Sequence, residues 1–262
     1  MFCSSSAAGE MVKGDFAVHL RRSVSVKPLS SQTRMAMQLV RFGSGKRIGK
    51  FAFSPQFQRK ELRALNYWIN RLEPSLLRIL PPLKMASVDR LTALGPELFI
   101  NHIPQAGRKH FPGKIHAASF IPQRYIVFHH DLFQRRIELG RIAYHELCHF
   151  LWLRLGNSRR EIFAELLKKE FDEKVKGELG YSSEWRKFEL QTAIADRANV
   201  LPRAWRDYVC ESFCDTGSFV LLDDERRQRH SEFTLRKAAR ERRCRLWKNL
   251  VSELSERQSA KT

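Results

Sequence analysis

The segment Tyr144-His145-Glu146-Leu147-Cys148-His149-Phe150 lies inside an apolar run and restricts the fold more than any other part of the chain. Its flanks Ile142, Ala143 and Leu151 are uncharged too, so the stretch reads as a helix buried on most sides. Buried imidazoles and carboxylates without partners are costly, and the fold must therefore satisfy two histidines and a glutamate there. Residues four apart on a helix share a face, so His145 and His149 aim at one point. Glu146 sits about 100° further round the axis, beside that point. It is badly placed to be a ligand but close enough to reach a water held there. The spacing predicts a zinc ion between the two imidazoles, with Glu146 as general base.

A catalytic zinc takes three protein ligands and keeps a fourth position open. The best source of the third is Tyr208-Val209-Cys210-Glu211-Ser212-Phe213-Cys214-Asp215. Glu211 and Asp215 are again four apart, with Tyr208 on the same face of a predicted helix and Trp205, Val209 and Phe213 on its apolar side. Glu211 is expected to bind the metal, and Asp215 to accept the free ring N–H of a liganding histidine and fix its tautomer. The competing reading pairs Glu211 with Arg203 or Arg206 at the surface. Cys148, Cys210 and Cys214 are expected to pack as small apolar side chains rather than bind metal.

His145-Glu146-x-x-His149 followed far downstream by Glu211-x-x-x-Asp215 resembles the gluzincin branch of the zincin metallopeptidases, the thermolysin-like pattern. The resemblance covers these two helices only. It implies a zincin-like α+β fold: a small upstream sheet or hairpin whose edge strand binds substrate in extended form, an active-site helix, and a mainly helical second half. It also implies a downstream His or Tyr that stabilises the oxyanion. His230 is the expected residue, with Tyr208 and Tyr181 as alternatives. The interval from His149 to Glu211 is longer than in thermolysin and leaves room for a rival third ligand, Glu161 or Glu165 on the next helix, although both fit a solvated face better. His129-His130, just before the motif, is expected to be a strand end or to line the cleft.

Composition narrows the setting. The chain has 262 residues and 43% hydrophobic content, enough for one sizeable domain with a core. No apolar run approaches the roughly 18 residues that would suggest a membrane span. The N-terminus lacks the apolar core of a secretory signal, and five cysteines without a framework spacing suit a reducing compartment; a cytoplasmic location follows as the expectation. The 47 Lys and Arg exceed the 28 Asp and Glu, giving +19, which favours polyanions such as nucleic acid as partners at low salt or merely maintains solubility.

Residues 1–45 read as a basic flexible tail, since no acidic residue occurs from Phe16 to Lys60. They also fit a targeting segment, or an upstream extension before a start at Met11, Met35 or Met37. Residues 46–257 read as one zincin-like metallopeptidase domain and 258–262 as a C-terminal tail. Helical periodicity is expected to begin near Gln58 and stop at Pro74, with a second piece from Ser75 to Ile79. Two short strands flank Pro122-Gln123 within 114–130. A helix capped by Asp131 with Gln134 runs to Gly156. The next opens at Ser158 with Glu161 as its box partner and turns Ile162 and Leu166 inward, with Phe163 and Leu167 as further inward candidates. Helices from Pro202 to Leu222 and from Thr234 onward complete the chain, the last packing Leu235, Ala239, Leu246, Leu250 and Leu254 while Arg243 points elsewhere.

The expected function is peptide-bond hydrolysis. Zinc held by His145, His149 and Glu211 would acidify its water and polarise the scissile carbonyl, and Glu146 would move the proton. The alternative is a basic polyanion-binding protein with a structural or vestigial zinc site.

Overall fold

The computed structural model describes residues 45–94, 97–101, 113–195, 201–227 and 230–260. The expected tail of residues 1–45 therefore lies almost wholly outside the described residues. Strands β1 (Arg47–Ile48) and β2 (Phe51–Phe53) come first, ahead of helices α1 (Arg59–Ile69) and α2 (Pro74–Ile79). Ordered structure thus begins before Gln58. Three residues with the burial pattern of Phe51-Ala52-Phe53 carry too few repeats for periodicity to register.

Strand β3 (Leu83–Val88) follows, then β4 (Leu91–Leu94), β5 (Glu97–Ile100), β6 (Gly113–Lys114), β7 (Ala117–Phe120) and β8 (Tyr125–His129). Five of these form one sheet in the order β1-β2-β3-β8-β7, while β5-β4-β6 makes a second, three-stranded sheet. The β7-β8 hairpin is where the sequence places it, with Ser119 opposite Ile126. The sequence reading missed that β8 pairs in parallel with β3, and β3 in parallel with β2. Parallel neighbours need a crossover, and α1 and α2 supply the one between β2 and β3. All five residues of β8 are buried. Ile126 and Phe128 join the main helical core, while Tyr125 and Val127 face a second cluster with Leu91, Ile100 and Ile115.

A 3-10 helix over His130–Gln134 leads into α3 (Arg136–Arg154), which carries the motif. The expected Asp131 cap does not form. Arg135 occupies the cap position without a side-chain hydrogen bond, because the chain completes the 3-10 turn before α3 begins. Thirteen consecutive residues of α3, Leu139 to Leu151, are buried. Gly140 sets how closely it packs: a Cβ there would lie 2.5 Å from the Trp68 ring of α1.

Helix α3 ends where expected, at Gly156, whose φ of 78° glycine adopts without strain. Helix α4 (Asn157–Asp172) starts directly after it, with Gly156 as N-cap, so Ser158 lies within the first turn and caps nothing. Its inward stripe is Arg159, Phe163, Leu167 and Glu170, so the further candidates Phe163 and Leu167 are the buried ones, while Leu166 is half-buried and Ile162 is exposed. The stripe contains two charged residues that a hydrophobic pattern cannot register.

Helix α5 (Tyr181–Ala195) was not assigned from sequence. It packs along α6 (Leu201–Leu221), which in turn packs along α3. After the short α7 (Asp224–Arg227), α8 (Lys237–Ser259) closes the fold. Leu235, Ala239, Leu250 and Leu254 are buried as expected. Arg243 is not directed outward: it is fully buried, held by Glu170 through Nε at 2.6 Å and by Glu178 through Nη1 at 2.5 Å. The chain is therefore mixed α+β with a mainly helical second half. Among the described residues no helix is long and apolar enough to cross a membrane.

Candidate metal centre

Helices α3 and α6 bring His145, His149, Glu211 and Asp215 together in the buried middle of the molecule. His145, Glu211 and Asp215 are fully shielded from solvent, and His149 is 4% exposed. Residues 208–219 of α6 are all buried, because α3, α5 and α8 all pack against it. The carboxylates that would make an exposed helix face are thereby forced inward.

His145 is fixed from both sides. Its Nδ1 lies 2.6 Å from Asp215 Oδ1, and the other Asp215 oxygen accepts the Ser183 backbone N–H at 2.8 Å. An ionised carboxylate only accepts, so Nδ1 donates to Asp215, and Nε2 is the ring nitrogen that would be available to a metal. That Nε2 is buried without a hydrogen bond, yet Glu211 Oε2 stands 3.2 Å away. Two zinc ligands at about 2.0–2.1 Å, disposed tetrahedrally, are about 3.3 Å apart. The His145–Glu211 spacing fits a shared zinc ion, but among the described residues the group that joins both histidines with all ligand atoms within 4.8 Å of one another is completed by Cys214 and not by Glu211. The His145 and His149 rings are 4.9 Å apart between centroids and nearly perpendicular.

His149 is held differently. Its Nδ1 is 3.3 Å from Cys214 Sγ and 3.7 Å from Cys210 Sγ. Both thiols are buried, as expected, but they pack on a candidate ligand rather than on neutral core alone. Ligand atoms of His145, His149 and Cys214 lie within 4.8 Å of one another, which makes Cys214 a rival third ligand. Its sulfur faces Nδ1 of His149, whereas Glu211 faces the unbonded Nε2 of His145, and the latter pairing fits the donor set better. Burial by itself would depress the His149 pKa, but Glu211, Cys210 and Glu146 outweigh it and push it up to about 9.

Glu146 projects beside this cluster and is 1% exposed. Its Oε2 accepts a hydrogen bond from Ser119 Oγ at 2.7 Å. Ser119 belongs to β7, the outermost strand of the five-stranded sheet, so that strand lies against the motif helix at the glutamate. No sequence signal distinguished this serine from any other in a strand.

The remaining candidates fall elsewhere. Tyr208, expected beside the metal, donates its hydroxyl to Glu178 Oε1 at 2.8 Å and lies 3.4 Å from Arg243 Nη2. It belongs to the buried ion network beneath α8, and burial there raises its pKa. His230 sits with its Nδ1 3.7 Å from Glu138 Oε2 and its ring against Phe233. Glu138 is about two turns before His145 on α3, and the described contacts of His230 do not include the ligand cluster. Burial, then the nearby Arg141 guanidinium, lower its pKa. Tyr181 places its backbone N–H on Glu232 at 3.1 Å. Glu161 and Glu165 are exposed on α4, as the solvated-face reading has it. Arg203, weighed as a surface partner of Glu211, lies 3.8 Å from Asp207, while Glu211 is fully buried and its charge acts on Arg186.

His129, His130 and Asp131 form a second group whose ligand atoms lie within 4.8 Å. Their geometry does not suit a metal. The two rings stack at 5.0 Å with planes 22° apart, so their in-plane lone pairs run side by side. His129 Nδ1 accepts the Asp131 N–H at 3.1 Å and His130 Nε2 meets Asp131 Oδ1 at 2.8 Å, an arrangement that closes the start of the 3-10 helix.

Helix α5 supplies the support that sequence reading missed. Its N-terminal amides hold Asp215 through Ser183 and Glu232 through Tyr181, as helix N-termini favour carboxylates. Glu232 also approaches the buried Arg141 at 3.2 Å. Compared with protein-family models, with curated proteins and with solved structures, the chain matches none.

Proposed function

We propose that this protein is a zinc-dependent metallopeptidase of the gluzincin-like type, with His145, His149 and Glu211 as the residues that would hold the metal. The observation that carries the reading is the buried His145 Nε2, left without a hydrogen bond, facing Glu211 at 3.2 Å while Asp215 holds the opposite ring nitrogen. Zinc, when bound, supplies Lewis acidity toward the scissile carbonyl and a water acidified toward neutrality.

The chain's own groups do the rest. Glu146 accepts a proton from the attacking water at its carboxylate and delivers it to the departing amine. Ser119 orients that carboxylate from β7. Among the described residues β7 has a neighbour on one side only, and its outer edge would offer backbone groups to an extended peptide that adds as a further strand beside Glu146. In this reading the five-stranded sheet with β7 at its edge, the motif helix beneath it and the helical second half form a zincin-like domain that works on peptide or protein substrates in the cytoplasm. A purely structural metal site has no use for a base, and Glu146 held toward the sheet edge by Ser119 favours catalysis.

Purified protein should carry one zinc per chain and cleave an unfolded protein such as casein. Glu146→Gln should keep the zinc and lose cleavage by at least about 100-fold, and Glu211→Ala should lose the zinc. Undiminished cleavage by Glu146→Gln would sink the reading.

A further inference from the structure

We infer that Cys214, assisted by Cys210, is the positioning residue for His149, so that the two candidate ligands on α3 are oriented by different chemistry: a carboxylate on His145 and sulfur on His149. This inference rests on the proposed metal centre and concerns how that centre is built.

For His149 to present Nε2 to a metal, its Nδ1 must carry the proton, and a buried N–H needs an acceptor. The described partners of Nδ1 are Cys214 Sγ at 3.3 Å and Cys210 Sγ at 3.7 Å. Both sulfurs come from α6, one helical turn apart, and flank Glu211 in sequence. One helix therefore contributes Glu211 toward His145 Nε2, Asp215 behind His145 and the two thiols behind His149. The ring of His149 is clamped from the side opposite to its metal-facing nitrogen.

The two helices also pack closely beside the sulfur pair. Cys148 precedes His149 on α3 and meets Gly217 of α6, where a Cβ would fall 2.4 Å from Cys148 Sγ. The helices therefore approach closely at this level, and His149 is buried beside that contact. Sulfur is a weaker acceptor than a carboxylate, so the His149 arm is the more readily released of the two.

Cobalt(II) and zinc titrations of the full-length chain test this without reference to cleavage. Three variants separate packing from acceptor chemistry: Cys214→Ser keeps an acceptor, Cys214→Val fills the space without one, and Cys214→Ala does neither. Replacing groups that orient metal ligands typically costs 10–100-fold in affinity. Cys214→Val and Cys214→Ala should each weaken metal binding at least about tenfold, with a changed cobalt visible spectrum, and Cys214→Ser should stay within about threefold of the parent. Near-ultraviolet circular dichroism in the presence of chelator would verify that each variant is folded. If folded Cys214→Val binds as tightly as the parent, or Cys214→Ser as weakly as Cys214→Val, the sulfur has no positioning role, although the metal centre itself stands. A parent chain that takes up no metal overturns both proposals. If Cys214→Ser abolishes the cobalt–thiolate charge-transfer band while the parent shows one, Cys214 is a ligand and not a positioning residue.

Discussion

Asp215 makes two hydrogen bonds that matter, one to His145 and one to the start of α5. Replacing it with alanine should lower zinc affinity about 10–100-fold, measured by chelator competition, because the tautomer of His145 is no longer imposed. An unchanged affinity would mean that α3 alone orients the ring. Ser119 acts on the base rather than on the metal. Ser119→Ala should leave zinc content intact and reduce kcat by about tenfold, the equivalent of about 1.4 kcal/mol, with KM little altered. A change confined to KM would place Ser119 in substrate binding instead.

Two glycines decide how the elements meet. Gly140 lets the motif helix lie directly on Trp68, and Gly180 lets the start of α5 approach Asp215, where a Cβ would fall 2.4 Å from Cγ. Gly140→Ala forces a shift of either helix and should destabilise the fold by about 1–3 kcal/mol, read from urea unfolding. Gly180→Ala should act mainly on the site: the carboxylate must move, so zinc affinity should fall more than stability. Equal losses in both measurements would argue that α5 is only a packing element. Helix α5 also shows where periodicity fails. Its exposed residues include Phe188 and Ile194, while Ser182 and Ser183 are buried alongside Leu190 and Ala193, which blurs the amphipathic pattern.

Glu178, Arg243, Glu170, Lys187 and Tyr208 tie α8, α4, α5 and α6 together from the inside. Burial alone would raise the Glu178 pKa, but Arg243 and then Lys187 outweigh it and hold it below the ordinary 4.5. Its folded pKa is depressed, so the stabilisation is complete above about pH 4.5 and is lost as the pH falls below that value toward the folded pKa. Unfolding free energy should therefore drop on acidification through that window, and Glu178→Gln should flatten the drop while costing about 3 kcal/mol or more at pH 7. A slope unaltered in Glu178→Gln would assign the acid sensitivity to other carboxylates.

The residues of the motif, its helical setting and the inward carboxylates of α6 were legible in the sequence, because spacing on a helix is a local property fixed by 3.6 residues per turn. So were the β7–β8 hairpin and the end of α3 before Gly156, which depend on near neighbours. The parallel pairing of β2, β3 and β8, the buried place of Arg243 and Glu170, the turning of Tyr208 toward Glu178, and the contacts of Ser119 with Glu146 and of Cys214 with His149 came only from the tertiary structure. Each joins residues far apart in the chain, and a charged or hydroxyl side chain looks solvent-bound until its distant partner is in place.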